Sequence, residues 1–180
     1  MAAKDRHISP YSLREKVARL LWAIVQSTLF KYSFHTWNRY RILLVNLFGG
    51  SVKYSCVIRR TAKIECPWNL IAGDNVCIGD YAIVYCLGKI MIGDRVSISQ
   101  YAHLCAGTHD YADESMPLKR LPITICEDVW IAADSFVGPG VTIGEGVVLG
   151  ARGVAVKNLD SNGIYAGNPA QLVKKRSDRN

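Results

Sequence analysis

From Ile125 to Val156 the chain repeats itself every six residues. Ile125, Ile131, Val137, Ile143, Leu149 and Ala155 hold one place, and Val129, Ser135, Val141, Val147 and Gly153 stand two places before the later five. A helix would need apolar spacings of three and four, and a lone strand would need simple alternation, so a period of six predicts short strands joined by turns. This is the pattern of a parallel β-helix in which three sixes make one coil. Both recurrent places face inward, and the Gly-Asp and Gly-Glu pairs fall near the corners. Residues eighteen apart then stack at the ordinary inter-strand spacing of about 4.8 Å. One coil cannot bury its own aliphatic face. Several must stack, each inward Ile or Val contributing roughly 1.5–3 kcal/mol.

Upstream the rhythm is less regular. It runs through Val52, Ile58, Ile64, Leu70, Ala72, Ile78, Ile92, Ile98 and Leu104, and two steps are eight residues long, around Leu70 to Ala72 and Ile78 to Cys86. After Leu104 a polar stretch of about fifteen residues leaves the repeat before Ile125 resumes it. A long polar excursion from an economical repeat points to function. The expected organisation is a helical extension over 1–50, a β-helix over 51–160 with an excursion loop at 107–122, and a C-terminal cap with a basic tail over 161–180.

The extension should be helical. Ser9-Pro10 offers a cap followed by proline, and Ser12 with Glu15 has capping-box spacing. Leu13, Val17, Leu20, Leu21, Ile24 and Thr28 then form one apolar face, with Arg14, Lys16 and Arg19 on or beside the other. A second short helix is expected over Trp37 to Phe48, ended by Gly49-Gly50. Such helices suit two roles: packing against the end of the β-helix or a neighbouring subunit, or contact with an anionic membrane surface.

The formal charge is +7, with the excess concentrated in the N-terminal third and in Lys174-Lys175-Arg176. The centre carries no aromatic-basic stripe, which argues against nucleic acid. The six cysteines form no Cys-x-x-Cys pair; they read as small apolar residues of a reducing cytoplasm. No cleavable leader is legible, and the apolar run Leu20 to Val25 is far shorter than a span of about 20 residues. The expected location is cytoplasmic, peripheral at the inner membrane face if the helix binds lipid.

Among the four histidines, His7, His35, His103 and His109, only His109 combines the excursion, a Gly-Thr lead-in and a neighbouring carboxylate, Asp110. Histidine suits general-base work near neutral pH.

Several segments together carry a family resemblance. They are Ile98 to Tyr111 with its Gly-Thr-His-Asp-Tyr ending, Trp130-Ile131-Ala132-Ala133, Val137-Gly138-Pro139-Gly140-Val141-Thr142-Ile143-Gly144 and Ala166-Gly167-Asn168-Pro169-Ala170, with Ser9-Pro10-Tyr11 and Pro67-Trp68-Asn69-Leu70 in support. The chain resembles the hexapeptide-repeat O-acetyltransferases of the left-handed β-helix fold. More narrowly, it is similar to the colanic-acid-biosynthesis type, related to the maltose and galactoside acetyltransferases.

The resemblance implies a left-handed parallel β-helix, an acetyl-CoA donor, a sugar hydroxyl acceptor in exopolysaccharide or cell-surface glycan biosynthesis, and no metal. It also implies a homotrimer with active sites between neighbouring β-helices. His109 matches the catalytic histidine, and Ala133 the backbone N–H that holds the oxyanion. Acetyl-CoA positions fall on Trp130, Ala133, Ala151, Val156, Lys157, Gln171 and Lys174. Val156 stands where threonine is frequent and Gln171 where arginine is frequent, with Arg152 as a candidate substitute. An ungapped alignment puts Gly79 and Leu87 where the maltose and galactoside enzymes carry an Asn and an Asp for the sugar, so Tyr85, Asp110 and Tyr111 become the acceptor candidates.

The alternatives are a serine or amino-sugar N-acetyltransferase, a non-catalytic scaffold, and a γ-type carbonic anhydrase on the same repeat. Against the last, three metal-binding histidines are needed, and the coil region holds only His103 and His109.

Overall fold

The computed structural model describes residues 9–176. His7 and the basic residues Lys4 and Arg6 lie outside the described residues. The six-residue rhythm is a three-sided parallel β-helix. Its first face stacks Ser51–Val52, Leu70–Ala72, Ile90–Ile92, Ile123–Ile125 and Thr142–Ile143. The second stacks Val57–Ile58, Cys77–Ile78, Ser97–Ile98, Trp130–Ile131, Val148–Leu149 and Gly163–Ala166. The third stacks Lys63–Ile64, Ile83–Tyr85, His103–Cys105, Phe136–Val137 and Val154–Ala155. Both recurrent places of each six face the core, from Val129 and Ile131 to Val147 and Leu149. Ser135 shares that core because its hydroxyl donates to the Ala132 carbonyl at 2.6 Å, which removes the cost of burying it bare.

The stacking interval of eighteen holds only in the upper coils, where Trp130 pairs with Val148. Lower down, Val57 pairs with Cys77 and Cys77 with Ser97, twenty residues on each time. The eight-residue steps run from Ile64 to Ala72 and from Val84 to Ile92, so the second insertion lies beyond the Ile78 to Cys86 interval expected for it. Both occur at the corner joining the third face to the first, and the excursion leaves from the same corner. The other two corners are held by ladders of left-handed residues. Asn75, Arg95 and Asp128 line one; Tyr81, Tyr101, Asp134 and Arg152 line the other, all at φ 56–59°. An added residue there would break a stacked turn. At the third corner the insertions stack on one another instead: the Asn69 amide donates to the carbonyls of Cys86 and Leu87, and Gly88 and Leu121 both donate to the Ala106 carbonyl.

The lower edge of the first coil exposes backbone groups that have no coil beneath them, and the N-terminal extension satisfies them with side chains. Asn46 closes a two-way bond with Val52, donating to its carbonyl and accepting its N–H, both at 2.9 Å. Arg41, fully buried, donates from Nε to the Ile58 carbonyl at 2.7 Å. At Ile64, Trp22 donates to the carbonyl and Gln26 accepts the N–H, each at 2.6 Å. Each face thus receives its own cap. At the upper end, Gly163–Ala166 adds to the second face and Gln171–Lys175 folds back antiparallel beside it, which blunts the open edge.

Helix α1 spans Leu13–Val25 and continues as a π-helical turn, Gln26–Phe30; α2 spans Asn38–Leu47 and ends before Gly49 at φ +84°. α1 starts later than Ser9-Pro10 suggests. Ser12 is the cap, its hydroxyl accepting the Glu15 N–H at 3.2 Å. The capping box is only half made, because the Glu15 carboxylate pairs with Arg120 of the excursion at 2.8 Å. α1 does cover the end of the β-helix, but not with the apolar face. Trp22 is its one buried residue, packed against Phe30 and Phe48, whereas Leu20, Leu21 and Ile24 are exposed.

Trp22→Ala removes a buried aromatic and orphans the Ile64 carbonyl, and should destabilise the chain by about 3–5 kcal/mol. Leu21→Ala, one position away on the outward face, should change stability by no more than about 0.5 kcal/mol. Urea denaturation of the two variants checks the orientation of the helix.

Candidate active site

The excursion begins as an antiparallel ribbon, Gly107–His109 against Leu118–Arg120. A Cβ on Gly107 would lie 2.9 Å from Leu87 Cδ1 and 3.3 Å from the Tyr85 ring, so a larger residue here would have to displace the Leu87 side chain. His109 ends the outgoing strand and is exposed. Its Nδ1 lies 2.6 Å from the Met116 carbonyl. A carbonyl only accepts, so in the neutral imidazole Nδ1 carries the hydrogen and Nε2 carries the free lone pair. Met116 adopts φ +47°, a conformation unfavourable for any residue with a Cβ, and this residue supplies the carbonyl that orients the ring.

Asp110 does not reach the imidazole in any recorded bond. Its carboxylate pairs with Lys119 across the ribbon at 2.7 Å and accepts the Ala112 N–H. The Lys119 hydrogen bond, followed by the Ala112 N–H, holds the Asp110 carboxyl below the usual carboxylate range. The pair ties the two strands together near His109. Arg120, the next residue, joins Glu15 and lies over the Tyr11 ring, so the N-terminal helix and the excursion are fastened to each other.

The other acceptor candidates separate. Tyr85 stands at the foot of the ribbon, and burial pushes its hydroxyl pKa up. Tyr111 is 92% exposed, with no hydrogen bond or ring contact to orient it among the described residues. His103, on the outward side of its strand, is half-buried between the Tyr85 and Phe136 rings. Burial lowers its pKa, and its Nε2 has no hydrogen-bond partner among the described residues. The ungapped alignment of acceptor positions also fails on steric grounds. A Cβ at Gly79 would meet the Gln100 N at 2.7 Å, and Leu87 is buried, so neither site can present a sugar-binding side chain.

The acetyl-CoA candidates fall into two groups. Trp130 lies on the second face, half-exposed, its indole N–H donating to Ser99 at 3.0 Å. Ala133 and Ala151 turn the corner from the second face to the third, where the Ala133 carbonyl accepts the Arg152 N–H. Val156, Lys157 and Gln171 line one cleft of about 330 Å³ near the top of the coil. Arg152 is not among the residues lining that cleft; it is 84% exposed, with a long 3.4 Å contact to Asp134. Lys174 stands on the terminal strand opposite Ile164. His109 leaves the corner opposite the second face. Within one chain, the corner that carries His109 therefore lies away from Trp130 and Ala133.

Sequence reasoning missed Met116 and Lys119, which orient and tie the ribbon. Met116 gave no signal, since a methionine in a polar loop announces neither its left-handed backbone nor the use of its carbonyl. The Asp110–Lys119 pairing becomes legible only once the excursion is known to be a hairpin.

Comparison with known proteins gives the family. The family described as bacterial transferase hexapeptide (six repeats) matches residues 122–154. The Escherichia coli (strain K12) protein named as a colanic acid biosynthesis acetyltransferase, WcaF, is 44% identical over 156 residues, covering 87% of this chain and 86% of its own. Galactoside O-acetyltransferase of the same organism is 30% identical over 118 residues, 66% of this chain and 57% of its own. Among solved structures, a hexapeptide-repeat acetyltransferase of Vibrio cholerae complexed with acetyl-CoA superposes with a TM-score of 0.83 at 25% identity, over 96% of this chain and 94% of that one. With a repeat core, a Thr-His ribbon and a relative of this identity over most of its length, the chain belongs to the hexapeptide-repeat acetyltransferases of the colanic-acid-biosynthesis type.

Proposed function

We propose that the protein transfers an acetyl group from acetyl-CoA to a sugar hydroxyl in exopolysaccharide or cell-surface glycan biosynthesis, as a cytoplasmic homotrimer. The observation that carries the reading is the His109 to Met116 bond, which in the neutral ring leaves the lone pair on Nε2. A sugar hydroxyl is far too weak an acid to ionise near neutral pH, so its oxygen needs a base at the moment of attack. Nε2 takes that proton as the oxygen adds to the thioester carbonyl. The negative oxygen that develops is held by the Ala133 N–H, and collapse expels the CoA thiolate, which recovers the proton from His109. The Nδ1–H bond keeps the ring oriented throughout.

The split site supports the trimer. His109 leaves the corner opposite the face that bears Trp130, and Ala133 and Ala151 stand at another corner, so in this reading His109 of one protomer works against that surface of the next. Lys157 and Lys174 supply cationic groups for the CoA phosphates, with Gln171 and Val156 lining the same cleft as Lys157 and Arg152 nearer the second face. Tyr85 and Asp110 bound the acceptor side through the shape of the ribbon, and Tyr111 reaches outward from it. By task, the chain divides into 1–50 for capping, 51–160 for catalysis and 161–180 for closing the top coil. The names of the relatives support a glycan acceptor: colanic acid biosynthesis for one and a galactoside for the other.

His109→Ala should lower turnover by roughly 10²–10⁴ while leaving acetyl-CoA affinity and the thermal midpoint nearly unchanged. Acetyl-CoA turnover against nucleotide sugars and lipid-linked oligosaccharides is the assay; an active variant would remove the assignment. Lys157→Ala should weaken acetyl-CoA by about tenfold and dephospho-CoA much less, because a phosphate contact counts only when the phosphate is present. Calorimetric titration with both ligands decides it, and equal losses would refute the role.

A further inference from the structure

An amphipathic surface helix normally turns its apolar stripe inward. α1 is mounted the other way. Its polar side holds the body: Arg19 bonds Glu65 at 2.6 Å, Gln26 caps Ile64, and Glu15 pairs with Arg120. The stripe of Leu13, Val17, Leu20, Leu21 and Ile24 faces outward, its residues 48–78% exposed. At 3.6 residues per turn these five fall within an arc of about 100°, with Arg14 beside one edge and Lys16 beyond the other. Both cations are exposed. The one acid of α1, Glu15, is held on the docked side. Past the π-helical turn, Tyr32, Phe34 and Trp37 add exposed rings.

We propose that this outward face docks the protein on an anionic lipid bilayer, with α1 lying in the plane of the interface. An aliphatic stripe edged by cations and followed by aromatic rings matches the boundary between acyl chains and acidic headgroups. Among the described residues no helix is long and apolar enough to cross a membrane, so the helix lies on the surface. A two-fold pairing of copies fits the face less well. A two-fold contact through this stripe would bring Arg14 and Lys16 against their own counterparts with no acid to answer them. The inference does not rest on the acyl-transfer reading, because none of the stripe residues has a part in it.

The experiment uses the full chain and sedimentation with vesicles of phosphatidylglycerol and phosphatidylcholine, or of phosphatidylcholine alone, at 0.1 M salt. Binding to the mixed vesicles is expected, at least tenfold tighter than to the neutral ones. Leu20→Ser/Leu21→Ser/Ile24→Ser should weaken it tenfold or more, with the thermal midpoint and the mass by light scattering unchanged. Arg14→Glu/Lys16→Glu should also weaken it tenfold or more, an effect that fades at high salt. Three results would overturn the proposal: no binding to mixed vesicles, binding that survives the triple serine variant, or a triple variant of reduced mass, which would make the face a contact between copies.

Discussion

The structure depends on how the bottom of the first coil is closed. In a stacked coil each strand is satisfied by its neighbours above and below, so the lower side of the first coil is left with polar backbone groups and an open aliphatic interior. Trp22, Gln26, Arg41 and Asn46 answer this edge face by face. The choice of caps is demanding. Arg41 is fully buried without a carboxylate partner among its recorded bonds, and it is held by the carbonyls of Ile58, Phe34 and His35, the Ser33 hydroxyl and the Asn38 amide oxygen. A buried cation is tolerable only when every donor is used. The extension is therefore a shaped plug whose helices are positioned by the polar groups they must meet.

That constraint explains the inverted helix. Were α1 to rest on its aliphatic stripe, Gln26 and Trp22 would leave the Ile64 groups unpaired, and Glu15 would lose Arg120. The docked side is held by the two Ile64 groups, each costing about 1–3 kcal/mol if left unpaired, together with the burial of Trp22 and the Glu15–Arg120 pair. The apolar stripe is left for another partner.

The second organising feature is the corner between the third face and the first. It alone lacks the ladder of left-handed residues that holds the other two, and it takes both short insertions and the excursion. A rigid prism thus carries one adjustable edge, and His109 grows from it. The ribbon is stiffened by Asp110 with Lys119, by the close fit of Gly107 over Tyr85, and by the anchor of Arg120 on the plug. The imidazole consequently sits on a fixed support with its tautomer set by Met116.

Much of this was legible in the residues. The period of six determined the coil and its inward residues, because a two-residue strand in a stacked coil tolerates little but aliphatic or small side chains inside. The Thr-His at the start of a polar interruption located the excursion, and Ser12 with Glu15 located the helix start to within a few residues. The chain alone did not determine which face of α1 would be buried. Amphipathic spacing reports a stripe, whereas the docking face was decided by the orphan carbonyls and N–H groups of a coil remote in sequence. Nor could it show that both eight-residue steps share a corner with the excursion, or that the Met116 carbonyl turns toward His109. Those are properties of stacking and of backbone direction, and they exist only once residues far apart in the chain are placed on the same edge of the prism.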